Sequence, residues 1–391
     1  MNNELTYFER MKRSIHIWIA LLVAVALCWR CKAKYVSPYV VPNVGYLVVE
    51  GFISGNAPIQ YSLSRTVPLP GDSTLPTESG AAVEVEGTDG TTISLIDQGA
   101  GNYSSVDTPR LNPQARYRLR IHTTNGEDYL SDFVPFVPSP AIDSINWIRD
   151  ATGVTIYANT HDPANATHYY EWSMRETWEY HSAVRSDYQY DTATGHVIDR
   201  PAWNEIYTCW HDGPFPNILL GNSTKLSSDV IYEQPLRLLS ANGVELSILY
   251  TTLVTQWALT DSAYSYASIM QKNTESLGSI FDAQPSQLVS NIQCLSTPGK
   301  QVIGYISAGT VRQERIWISN ADVPGWDYVN VCPYTAADPA DSVQERYQYE
   351  YFGRIPVDPL GPGFGTMAQL VVCVDCRLQG GKNYAPPFWP N

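Results

Sequence analysis

The sequence predicts an all-β protein with one short helix, and three observations carry that expectation. Of its residues 44% are hydrophobic, 12% aromatic and only 16% charged, a balance that favours a folded core over a disordered chain. Short apolar stretches alternate with period two and are separated by turn signals drawn from 26 Gly and 27 Pro. One stretch alone, near 261–273, carries helical spacing instead. The expected layout is an immunoglobulin-like β-sandwich over 46–137, followed by a larger aromatic-rich β domain over 138–391 that contains the helix.

In chain order, residues 1–31 read as a lipoprotein signal peptide. Lys12 and Arg13 precede Ile15–Leu27, an apolar run broken only by His16. It is shorter than the roughly 20 residues a spanning helix needs and matches the about 7–15 of a secretory core. Glu4 and Glu9 are foreign to a basic head region, which makes Met11 an alternative start. The run ends at Cys28-Trp-Arg-Cys31. A bacterial lipoprotein carries its diacylglycerol on a cysteine at this place, and Cys31 is the expected site, with Cys28 as the alternative. Each buried methylene contributes about 0.8 kcal/mol, so more than one acyl chain gives lasting attachment. Residues 32–45, with Pro38 and Pro42, form a tether.

The first strands are expected at Tyr46–Ile53 and Ile59–Leu63. Ala82–Glu86 alternates, and the turn at Thr88-Asp-Gly90 leads into Thr91–Ile96. Tyr117, Leu119 and Ile121 face one way and Arg118, Arg120 and His122 the other, the pattern of a strand with one buried side. Asn125-Gly126 is a hairpin signal before Asp128–Val134. The second region opens with Ile142–Trp147 and Val154–Ala158. Tyr169–Tyr180 then places Tyr170, Trp172, Met174, Glu176, Trp178 and Tyr180 on one face, and Glu171, Ser173, Arg175, Thr177 and Glu179 on the other. The aromatic face is expected to be core; the alternative is that part of it lines a groove where rings hold sugars or peptides. Ile231–Leu239 and Gly243–Trp257 continue the sheet. Thr260 is the expected N-cap of a helix carrying Ala263, Tyr264, Ala267, Ile269 and Met270 and ending near Asn273. Val302–Ser307, Arg315–Ser319 and Leu370–Val372 are the last expected strands.

Several of these pieces together resemble a known family: Leu47-Val-Val-Glu-Gly51, Leu63-Ser-Arg-Thr66, Ala263-Tyr264, Leu277-Gly278 with Phe281-Asp282, and Asn291-Ile292 with Cys294. Gly304-Tyr-Ile-Ser307, Cys373-Val-Asp-Cys-Arg377, Gly380-Gly381 and Phe388-Trp389 complete the set. The chain resembles the Bacteroidota outer-membrane lipoproteins classed as domain of unknown function 4249. That resemblance implies a cell-envelope lipoprotein of unknown activity, often encoded beside a TonB-dependent outer-membrane transporter; the expected place is the outer membrane, facing the surface, with the periplasmic side as the alternative. It brings no catalytic residues with it.

The chemistry expected from the residues is binding. A formal net charge of −14 argues against nucleic acid and anionic headgroups as partners. Gly361-Pro-Gly-Phe-Gly365 lacks the Lys and Ser/Thr of a phosphate loop, and neither an HExxH nor a Gly-x-Ser-x-Gly pattern occurs. No enzyme activity, cofactor or metal is expected. With Cys28 and Cys31 set aside, Cys209, Cys294, Cys332, Cys373 and Cys376 remain for an oxidising compartment. The expected pairs are Cys209 with Cys294, and Cys332 with Cys373 or Cys376. The leading expectation is an accessory of a TonB-dependent transporter that holds a nutrient around Trp172, Trp178, Trp203 and Trp210. The alternative is a structural subunit of an envelope assembly.

Overall fold

The structure, a computed structural model, describes residues 45–67, 75–275, 287–332, 347–359 and 366–390. The expected leader, its two cysteines, the tether up to residue 44 and the stretch Leu277–Asp282 lie outside them.

The first strands are β1 (Leu47–Ser54), β2 (Gln60–Arg65), β3 (Ala82–Gly87), β4 (Thr92–Gly99), β5 (Asn102–Ser104), β6 (Arg116–His122), β7 (Asp128–Ser131) and β8 (Val134–Val137). Next come β9 (Ile142–Arg149), β10 (Gly153–His161), β11 (Tyr169–His181), β12 (Tyr188–Asp191), β13 (His196–Asp199), β14 (Thr208–Pro214), β15 (Leu219–Asn222), β16 (Val230–Ser240) and β17 (Leu249–Ala258). Helix α1 (Asp261–Glu275) precedes β18 (Ile292–Cys294), β19 (Val302–Ile303), β20 (Ala308–Gly309) and β21 (Val311–Ser319). The described chain closes with β22 (Arg354–Pro359), β23 (Thr366–Leu370), the single turn α2 (Val371–Val374) and a 3-10 turn (Cys376–Gln379).

The all-β class holds, and the first sheet does more than form a layer. Its order β6-β3-β4-β5-β2-β1-β20-β8 returns to β6 through a β6–β8 pairing, so eight strands close into a barrel-like ring. Alternation fills it: Val83, Val85, Tyr117, Leu119 and Ile121 are buried, while Arg118 and Arg120 meet Glu86 outside at 2.6 and 2.7 Å. Closure corrects the expected boundary at residue 137. The ring is completed by β20, which runs parallel to β1 and β8, while β19 lies parallel to β1 and β18 pairs with β7. Ile292, Cys294, Val302, Ile306 and Ala308 pack in the same core as Leu47 and Tyr117. The described residues of 46–137 and 292–309 therefore fold as one body, although about 150 positions of the chain separate the two stretches.

The other body is a sandwich of a three-stranded sheet, β16-β10-β9, and a five-stranded sheet, β14-β11-β17-β21 with β15 also on β11. Ile156 and Leu239 from the first sheet and Tyr170, Trp172, Met174, Tyr250 and Val254 from the second share one core. Two polar side chains are satisfied inside it. Gln256 accepts from Trp172 Nε1 at 2.9 Å and donates to the Pro140 carbonyl at 3.1 Å and Thr160 Oγ1 at 3.2 Å. Glu176 accepts from Tyr250 Oη at 2.7 Å and Arg237 Nε at 3.0 Å.

Helix α1 is capped as its sequence asks, Thr260 Oγ1 accepting from the Ala263 amide at 3.2 Å. Two local expectations change. A 3-10 turn at Val244–Leu246 precedes β17, and Val371 and Val372 lie in α2 rather than in a strand. Among the described residues no helix is long and apolar enough to cross a membrane.

Candidate functional site

Two walls meet where the barrel approaches the sandwich. Period two along β1 turns Leu47, Val49 and Ile53 into the barrel core, which leaves Val48, Glu50 and Phe52 on its outer face. The opposite wall is the face of the five-stranded sheet turned away from its own core. Register places Glu171 of β11 beside Trp257 of β17, and Trp257 beside Val311 of β21. Ser173, Thr255 and Gln313 form the next row. The Phe52 and Trp257 rings touch across the gap, with centroids 6.2 Å apart and planes at 56°.

A cavity of about 510 Å³ opens between the walls, and one of about 240 Å³ adjoins it, bounded on one side by Ala263, Tyr266 and Met270 of α1. Gly51, Glu171, Leu259, Tyr305 and Ser307 line both. The two therefore make one groove with Glu171 at its middle.

Tyr305 reaches the groove because the chain arches off β1 between β19 and β20. Gly304 begins the arch at φ +137°, where a Cβ would fall 2.3 Å from the Val49 carbonyl oxygen, so only glycine fits without strain. Its amide donates to Tyr266 Oη at 2.8 Å. Asn291 clamps the arch: its amide donates to the Ile306 carbonyl at 3.0 Å, and its oxygen accepts from the Ile306 amide at 2.8 Å. Ile306 thus points into the barrel core, and its neighbour Tyr305 lies against Tyr266 at 5.3 Å.

The charge in this groove is unusual. The Glu171 carboxyl makes no hydrogen bond or ion pair among the described residues, and burial alone pushes it up to about 7. Near neutral pH it is about half ionised, able to donate a hydrogen bond in one state and pair with a cation in the other. Burial also raises the phenols of Tyr305 and Tyr266. Among the described residues that line either cavity there is no Lys, Arg or His.

The four tryptophans expected to hold a ligand do not assemble. Trp172 is 1% exposed and spends its indole N–H on Gln256, which makes it core. Trp178 lies on the same face of β11, stacked on His211 at 4.0 Å. Trp210 sits on the opposite face of the sheet, edge-on to Trp389 at 6.4 Å. Trp203 stands 80% exposed in a 3-10 turn, Ala202–Asn204. The ring pattern of β11 marked the sandwich core. Glu171 was visible as one of five polar residues on its other face, with nothing in the sequence to say that this end of that face would be covered.

The cysteines form two disulfides, Cys209–Cys376 and Cys332–Cys373, each with Cα atoms 5.8 Å apart. The second is one of the expected pairs. The expected Cys209–Cys294 pair is corrected: Cys294 ends β18 and is buried, unpaired, in the barrel core, whereas Cys209 packs with Tyr180 and Cys376 on the sandwich. The lipid-site candidates Cys31 and Cys28 lie outside the described residues.

A model of the family described as Domain of unknown function (DUF4249) matches residues 34–315. No curated protein matches the chain. The matched span contains every groove residue named above.

Proposed function

We propose, from the premise that this chain belongs to the domain-of-unknown-function 4249 family, that it is a non-catalytic binding protein tethered by lipid to the outer membrane. In this reading it holds a small ligand in the groove around Glu171 and passes it to a TonB-dependent transporter. The observation that carries the reading is the groove itself: facing rings, polar edges and, at its middle, the Glu171 carboxyl with no partner. Concave sites of several hundred Å³ with aromatic walls and a few convergent polar groups are the usual form of a small-molecule site. The leader and cysteine at 1–31 support the tether, and the deficit of basic residues fits a partner that is not nucleic acid.

The test is purification from native membranes in mild detergent, with intact mass analysis of the mature terminus. The expected result is an acylated Cys31 or Cys28 and a co-purifying outer-membrane transporter. An unacylated terminus removes the tether. An acylated protein that brings down other envelope proteins and no transporter replaces the accessory role with that of an assembly subunit.

A further inference from the structure

Each wall of the groove contributes one acid and one large ring: Glu50 and Phe52 from β1, Glu171 and Trp257 from the five-stranded sheet. Tyr305 and Tyr266 add two more ring faces where the cavities join, and the described lining supplies no cation to balance either carboxylate. Aromatic faces attract cations through the ring quadrupole, most strongly when solvent is displaced. A carboxylate without a partner in a partly desolvated place is unfavourable until an opposite charge arrives.

We propose that the ligand class of this groove is an organic amine: an ammonium group that pairs with Glu171 and lies against Trp257, on an apolar body that fills the space toward Phe52 and Leu259. The inference rests on the binding reading of the same groove and narrows it. It excludes anionic nutrients, which would meet two carboxylates and no basic side chain.

The titratable groups that line the cavity with Glu171 are Glu50 from β1, Tyr305 from the arch and Tyr266 from α1, the two phenols being neutral throughout the range that matters. Glu171 must ionise to pair with an ammonium ion. Affinity is therefore expected to rise as pH increases through about 7 and to level off above it.

Titration calorimetry of the whole protein with hexylammonium, 1-hexanol and hexanoate tests the class. Hexylammonium is expected to bind at least about tenfold tighter than the other two, the range of a charge-assisted hydrogen bond. Glu171→Gln is expected to remove that margin, weakening hexylammonium at least about tenfold more than 1-hexanol. Circular dichroism and thermal melting check that the variant is folded, and Phe52→Ala supplies a second variant on the other wall. If 1-hexanol binds as tightly as hexylammonium, and Phe52→Ala weakens both while Glu171→Gln weakens neither, the amine class is overturned and the groove reading stands. If no probe gives heat that Phe52→Ala or Trp257→Leu alters, both fall together.

Discussion

Glu171 and Glu176 stand five positions apart on β11 and face opposite ways, and their surroundings give them opposite energetics. Glu176 is 5% exposed in the sandwich core, yet Arg237 and Tyr250 satisfy it. Its removal leaves the buried Tyr250 Oη without its acceptor and takes one partner from the part-buried Arg237, so Glu176→Ala is expected to cost about 1–3 kcal/mol in urea unfolding. Glu171 has no such support. Its folded pKa of about 7 lies above the roughly 4.3 of an unfolded glutamate, so the folded state holds the proton more tightly. The stability this lends is full below about pH 4 and is lost as pH rises through 7. Glu171→Gln cannot ionise. It should gain on the wild type between pH 5 and 8, by roughly 1–2 kcal/mol after allowance for solvent, and show no such gain below about pH 4. Tryptophan substitutions should separate in the same way: Trp172→Ala is expected to lose about 3–5 kcal/mol, and the exposed Trp203→Ala less than about 0.5.

Among elements, the short returning strands are held by more than their few ladder bonds. Glu127, just before β7, receives Lys300 from the β18–β19 connection, Tyr129 Oη at 2.8 Å and Arg65 Nη1 at 3.2 Å. Burial opposes its ionisation, but these donors and Asn125 outweigh burial and bring its carboxyl down to about 2. Here the sign is reversed. The stabilisation is present above an unfolded pKa near 4.3 and is lost as pH falls toward 2, so Glu127→Gln should flatten the acid limb of the unfolding curve in that window. The disulfides tie the sandwich to its C-terminal segment, Cys209–Cys376 across 167 positions. Peptide mapping without reductant should recover Cys209–Cys376 and Cys332–Cys373, with Cys294 alkylated only after denaturation. Replacing Cys209 and Cys376 together by Ser should cost about 2–5 kcal/mol. Long alternating strands such as β3, β6 and β11 were legible in the sequence because a single buried face dictates their pattern. β19 and β20 were not, since two residues each carry no periodicity and their parallel pairing to β1 is set by tertiary contact. Val302–Ser307 accordingly read as one strand and proved to be a bridge followed by an arch.

For the whole molecule, the all-β class and the helix followed from composition and spacing, whereas the interleaving of the two bodies did not. A chain that leaves the barrel at Val137 and returns at Ile292 has no local signal for either step. The groove was illegible for the same reason, because it exists only where the returning arch brings Tyr305 beside Glu171. A fragment of 46–137 lacks β20 and would expose the edges of β1 and β8, so it is expected to show no cooperative melt. The central claim is that these walls enclose a carboxyl with no partner. Its most direct test is a 13C carboxyl titration of the intact protein labelled at glutamate, with Glu171→Gln assigning the signal. A midpoint near 7 that falls on addition of hexylammonium is the expected result. A midpoint at the ordinary value of about 4.3, unmoved by the amine, would contradict the account.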